Sequence, residues 1–163
     1  MPHPTAGGPP PWDITVDYWR DDGFLLVRFS TFEDNDWTRW PTPTKSVRRD
    51  DLWRTTCFEV FVETNDGYRE YNLSPSSEWA SYSFDGYRQG MRKAAEGVVS
   101  TGIRFEGLGA KLEAQIQLPA NARRLGLSAV IETTDGGFSY WALAHPSAKP
   151  DFHHPDSFVL ELP

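Results

Sequence analysis

The sequence predicts an all-β fold, a two-sheet antiparallel β-sandwich of about ten strands with little helix, on three observations. Short apolar runs alternate with a period of two, and clusters of Gly, Pro, Asn and Asp separate them at spacings that suit a sandwich. Aromatic residues, which strands favour, make up 14% of the chain and include seven Trp. A length of 163 residues fits one domain, which at this size buries about 70% of its unfolded surface.

The first eleven residues, Met-Pro-His-Pro-Thr-Ala-Gly-Gly-Pro-Pro-Pro, have no cationic start and no apolar run. They read as a flexible arm rather than a secretory signal, and leave 12–163 as the domain. Residues 14–20 and 24–32 form an expected hairpin around Asp21-Asp22-Gly23, where glycine takes a positive φ without strain. Residues 35–51, with Trp37, Trp40, Pro41 and Pro43, cannot pair as a central strand and are expected over one edge or mouth.

Residues 55–64 give the clearest strand. Cys57, Glu59, Phe61 and Glu63 fall on one side, and Phe58, Val60 and Val62 on the other. Thr64-Asn65-Asp66-Gly67 supplies turn chemistry, and residues 68–73 return with Tyr68, Glu70 and Asn72 alternating against Arg69, Tyr71 and Leu73. A short strand is expected at 79–84, then a turn or a single helical turn at 86–91. Residues 98–105, 110–118, 125–132 and 138–144 give four more strands, and 158–162 closes the chain. In 110–118, Leu112, Ala114, Ile116 and Leu118 point inward and Lys111, Glu113, Gln115 and Gln117 outward, as a one-sided strand requires.

Charge and cysteine content narrow the function. A net charge of −7 and a pI near 5.0 argue against nucleic acid, whose affinity comes from clustered Lys and Arg. No stretch approaches transmembrane length, so no membrane partner is expected. The single cysteine, Cys57, allows no intramolecular disulfide and favours the cytoplasm; within an apolar strand it reads as a small packing group.

Residues 52–79 combine tryptophans, carboxylates, arginines and an asparagine on what reads as two adjacent strands. Aromatic rings offer flat platforms to the C–H faces of a pyranose, and fixed carboxylate, amide and guanidinium groups hydrogen-bond its hydroxyls in pairs. Glu59, flanked by Phe58, Val60 and Phe61, is costly to bury alone and calls for a partner: Arg54, Arg69, Arg88 or a ligand.

The run Leu-Trp-Arg-Thr-Thr-Cys-Phe-Glu-Val-Phe-Val at 52–62, Tyr-Arg-Glu-Tyr-Asn-Leu-Ser-Pro at 68–75, Trp79-Ala80, Tyr87-Arg88, Gly90-Met91 and His154-Pro155-Asp156-Ser157-Phe158 resemble the DOMON-like superfamily over residues 12–163. Within it the chain looks most like the bacterial branch sometimes fused to UDP-N-acetylenolpyruvoylglucosamine reductase. It is more distantly similar to family-nine carbohydrate-binding modules. The resemblance implies a sandwich that binds a small ligand such as a sugar between two tryptophans. It carries the ligand-binding roles onto Trp53, Glu59, Arg69 and Asn72, with Trp141 as the opposite ring; beside these, Arg54, Trp79 and Arg88 are further candidates as polar and aromatic residues of the same region of the chain.

The resulting expectation is non-catalytic binding of a carbohydrate or sugar-containing metabolite, with no catalytic residue, no metal and no cofactor. A protein-interaction module is the alternative, using the aromatic face and the loop from Trp37 to Trp40. Haem binding would need an axial ligand such as Met91, the sole internal methionine. A glycoside-processing enzyme would draw a carboxylate pair from Glu59, Glu63, Glu70 and Glu78, but no nucleophile elbow, phosphate loop or metal motif accompanies them. His145, His153 and His154, near Asp151 and Asp156, lack the spacing of a structural zinc site.

Overall fold

A computed structural model describes residues 1–4, 13–32 and 36–162. Eleven strands form two antiparallel sheets, confirming the expected sandwich, with two single 3-10 turns at Leu52–Arg54 and Pro155–Ser157. The smaller sheet has the order β1 (Asp13–Asp21), β2 (Phe24–Phe32), β8 (Gly109–Gln117), β7 (Val98–Glu106). The larger runs β10 (Phe138–Ala142), β9 (Arg124–Glu132), β3 (Cys57–Thr64), β4 (Gly67–Leu73), β5 (Trp79–Phe84), β6 (Arg92–Lys93), with β11 (Leu160–Glu161) paired to β9 beyond the end of β10.

Alternation along the strands builds two cores. Between the sheets, Phe58, Val60 and Val62 of β3 and Tyr71 and Leu73 of β4 meet Leu25, Val27 and Phe29 of β2 and Leu112 and Ile116 of β8, all nearly inaccessible to water. The Tyr71 hydroxyl donates to the Gln117 carbonyl at 2.6 Å, tying β4 to the end of β8. On the outer face of the larger sheet, Cys57, Phe61, Tyr68, Tyr82, Phe84 and Val130 form a second core, roofed by Leu52, Phe152 and Phe158. β3 and β4 are therefore buried on both sides, which is why their sequences do not sort into one apolar and one polar face.

The loop expected over an edge runs across one end of the larger sheet, from a bridge between Thr38 and Thr133 to one between Arg48 and Trp79. Residues 1–4 of the expected arm lie beside β10, where the His3 N–H donates to the Tyr140 carbonyl, whereas 5–11 fall outside the described residues. Two features differ from the sequence reading. β6, only two residues long, is too short to carry a periodic signal and follows a turn at 86–89. Trp53 and Arg54 sit on a 3-10 turn rather than on a strand, because Asp51 adopts a left-handed conformation that folds the chain back before β3.

The β3–β4 hairpin closes on Asn65 and Asp66, with Thr64 opposite Gly67. Gly67 has φ of 131°, and a Cβ there would run into the Phe84 carbonyl oxygen of β5. Gly67→Ala is expected to lower stability by about 1–3 kcal/mol from backbone strain alone. Urea unfolding should show this as a lower midpoint, and an unchanged midpoint would contradict it.

Candidate functional site

Between the outer face of the larger sheet and its roof lies a cavity of ≈ 670 Å³, within the range of small-molecule sites. The floor is laid by strand register. Glu59 stands opposite Asn72 on β4 and Ser128 on β9, while Glu70 stands opposite Phe61 and Tyr82, so Glu59 and Glu70 are diagonal neighbours on one face. Tyr82, Phe84, Val130, Phe138 and Tyr140 extend that floor on β5, β9 and β10. Trp53 and Arg54 form one wall, Arg88 and Met91 a second, and Pro150, Phe152 and His153 a third.

Both floor carboxyls are buried, Glu59 at 4% and Glu70 at 5% exposure. One Glu59 oxygen, Oε2, accepts from the Ser128 hydroxyl at 3.0 Å, and Glu70 Oε1 accepts from the Asn72 amide at 2.9 Å. Among the described residues, neither makes an ion pair with Arg or Lys. Arg88 bonds Asp151 at 2.8 Å, Arg54 lies 3.6 Å from Asp51, and Arg69 is engaged by Glu96 at 3.3 Å. Burial, followed by repulsion from Glu70, pushes the Glu59 carboxyl up. Burial raises Glu70 too, against the hydrogen bond from Asn72 and the attraction of Arg88. The Cys57 thiol beneath them is raised by burial and by the same negative charges, which leaves it an unreactive packing group.

His153 completes the polar side. The Tyr68 hydroxyl accepts from the Arg88 N–H at 3.2 Å and shares a hydrogen bond with His153 Nδ1 at 2.8 Å, while His153 Nε2 lies 3.8 Å from Glu70 Oε2. Burial and the nearby Arg88 hold His153 down to about 4, so it is neutral near pH 7. No group of three or more His, Cys, Asp or Glu among the described residues is placed to hold a metal ion.

Of the residues singled out from sequence, Trp53, Glu59, Arg54 and Arg88 line the cavity, and Asn72 lies under it as the donor to Glu70. The other three are elsewhere. Trp141 is packed between the sheets with its Nε1 donating to Ser139 at 3.1 Å, because its neighbour Tyr140 takes the outward position on β10. Arg69 is an odd number of residues from Asn72 and faces the opposite side of β4, toward Glu96. Trp79 also faces away, under the Arg48 guanidinium at 4.7 Å. Glu70, read from sequence only as a member of a carboxylate pair, belongs to the site, as its shared parity with Asn72 signals. The contributions of Tyr82, Tyr140 and the 150–153 segment carry no local signal: strand pairing places the two tyrosines, and the bonds from Tyr68 to His153 and from Arg88 to Asp151 place the segment.

No protein-family model matches the chain, and no curated protein matches it. Among the described residues, no helix is long and apolar enough to cross a membrane.

The raised Glu59 carboxyl makes a test of this geometry. The folded protein keeps this proton at pH values where the unfolded chain has lost it, so the associated stability is present below the ordinary value of 4.5 and is lost as pH rises toward and beyond neutrality. His153 acts in the opposite sense, losing stability as pH falls from 6.5 toward 4, and is common to wild type and variant. Glu59→Gln should therefore match wild type near pH 4.5 and exceed it by on the order of 1–3 kcal/mol at alkaline pH. Denaturant unfolding across pH checks this, and a difference that does not vary with pH would refute the assignment.

Proposed function

We propose that this domain binds a small carbohydrate or sugar-containing metabolite in the outer-face cavity and does not chemically change it. The observation that carries this reading is the Trp53 ring, 48% exposed at the cavity wall, beside a floor bearing the carboxyls of Glu59 and Glu70. A pyranose presents apolar C–H faces and a hydroxyl rim, and this cavity pairs aromatic walls with a few fixed polar groups. The resemblance to DOMON-like and family-nine modules supports the same ligand class through Trp53, Glu59 and Asn72, while Arg69, Trp79 and Trp141 take packing roles.

Binding is favoured over hydrolysis by the electrostatics of the floor. Glycosidases need one carboxyl ionised, as nucleophile or base, beside a protonated acid. Here burial favours the neutral form of both. The recessed shape suits a small molecule better than the flat patch of a protein partner. The lone buried Cys57 supports a cytoplasmic setting.

A thermal-shift panel of mono- and disaccharides, nucleotide sugars and haem tests the proposal. A ligand at 100 times its dissociation constant adds about 2.7 kcal/mol, or about 5–10 °C for a domain of this size. Absence of a shift with any sugar would overturn it. With a sugar that binds, Trp53→Ala should weaken affinity about two- to tenfold while the circular dichroism spectrum stays native, since removing an aromatic platform costs about 0.5–1.5 kcal/mol beyond its area. Unchanged affinity would remove Trp53 from the site.

A further inference from the structure

The cavity floor is short of positive charge. Glu59 is 96% buried by its 4% exposure, and its Oε2 is held by Ser128 while its Oε1 meets no protein donor among the described residues. Glu70, diagonal to it, has an amide on one oxygen and a neutral imidazole 3.8 Å from the other. The rim cations do not neutralise this pair. Arg88 is bonded to Asp151, and Arg54 leans toward Asp51 with its guanidinium 5.2 Å from the Trp53 ring centre. Farther out, Lys93 faces Asp50, which itself accepts from the Tyr82 hydroxyl at 2.7 Å. Each rim cation thus has its own carboxylate, and the two floor carboxyls are left over.

We propose that the ligand carries a protonated amine, so that the class of sugar bound is an amino sugar, its ammonium seated against Glu59 Oε1 and Glu70 and its ring against Trp53. This rests on the carbohydrate reading and narrows it. A cation between the two carboxyls converts their mutual repulsion into two attractions and supplies the donor that Oε1 lacks. The lining adds to this selectivity: Tyr82, Phe84 and Tyr140 border the cavity with aromatic rings, a class of group that attracts an ammonium ion. An anionic sugar meets two acids on the floor, and the guanidiniums of Arg54 and Arg88 at the walls face Asp51 and Asp151, so it is disfavoured. A neutral sugar gains the hydrogen bonds but not the charge pairing.

The groups facing the carboxyls also give the binding reaction a proton signature. Glu59 is influenced by Glu70, Ser128 and Arg88, and Glu70 by Asn72 and Arg88, with the neutral His153 beside it. Burial favours the protonated acids in the empty cavity, and an arriving ammonium favours the carboxylates. Binding of an amine near neutrality therefore releases protons, whereas a neutral sugar does not.

Isothermal titration calorimetry of the full chain at about pH 6.5, in two buffers of different ionisation enthalpy, with glucosamine, N-acetylglucosamine, glucose and glucuronate, tests the inference. Glucosamine should bind at least about tenfold more tightly than glucose or N-acetylglucosamine, as expected for a hydrogen bond to a charged group. It should release protons on binding, and glucuronate should give no heat of binding. In folded Glu59→Gln, the preference for glucosamine over glucose should fall to within about twofold. Should that variant not fold, the proton release of the wild-type protein decides. Neutral sugars binding as tightly as glucosamine, a glucuronate preference, or amine binding without proton release would each overturn the amino-sugar inference and leave the carbohydrate reading standing. Failure of all four sugars to bind the folded protein would overturn both. Methylammonium binding as tightly as glucosamine would show that the site recognises an amine and not a sugar.

Discussion

β3 is buried on both faces, and this constraint sets the rest of the structure. Its odd and even positions serve different layers: Phe58, Val60 and Val62 close the gap to the smaller sheet, while Cys57, Glu59 and Phe61 face the outer layer. A slip of one residue in register would move the Glu59 carboxyl into the inter-sheet core and a valine or phenylalanine into the cavity. Pairing to β4 on one side and β9 on the other forbids that slip, since thirteen backbone registrations, seven with β4 and six with β9, hold the strand. The position of the polar floor is thus a consequence of how the hydrophobic core is packed.

The same constraint explains why the floor is electrostatically unusual. A carboxyl fixed by a doubly buried strand cannot swing out to water, and its neighbours on the outer face are Phe61, Tyr82, Phe84 and Val130, none of which supplies a countercharge. Ser128 and Asn72 satisfy one oxygen of each acid through neutral hydrogen bonds, enough to orient the groups but not to favour ionisation. An apolar pair of similar volume would suit folding better, because buried charge without a partner is among the costlier features of an interior. Two such acids in one cavity are a feature that folding stability alone does not account for.

Much of this was legible in the sequence. The alternation at 57–63 separates Glu59 from Phe58 and Val60, and the alternation at 68–73 puts Glu70 and Asn72 on one side and Arg69 and Tyr71 on the other. That parity alone argues against pairing Arg69 with Asn72 in one site, and the structure agrees with it. Trp141 was harder: β10 carries Tyr140 and Trp141 side by side, both fit for a strand, and only the pairing of Trp141 with Ala129 and of Tyr140 with Val130 shows which ring looks outward. The roof was not legible at all. His153 reaches Tyr68 across 85 residues of chain and Arg88 reaches Asp151 across 63, separations at which neither period nor turn chemistry gives information.

That roof is held by a small network whose strain bears on binding. Arg88 takes a left-handed backbone at φ of 55°, a conformation that costs a non-glycine residue about 1–3 kcal/mol unless its surroundings enforce it. They do so at both ends of the residue: its N–H is fixed by the Tyr68 hydroxyl, and its guanidinium by Asp151, which also accepts from the Tyr87 hydroxyl. Burial pushes the Asp151 carboxyl up, but the bonds from Tyr87 and Arg88 outweigh it and keep the group ionised. Asp51, at φ of 64°, makes the matching sharp turn on the opposite wall and sets the direction in which Trp53 enters the cavity. Both walls are therefore fixed by the fold before any ligand arrives. Under the proposed binding reading, a mouth ordered in advance loses little conformational entropy when a ligand enters, so more of the contact energy from Trp53, Glu59 and Glu70 would appear as affinity.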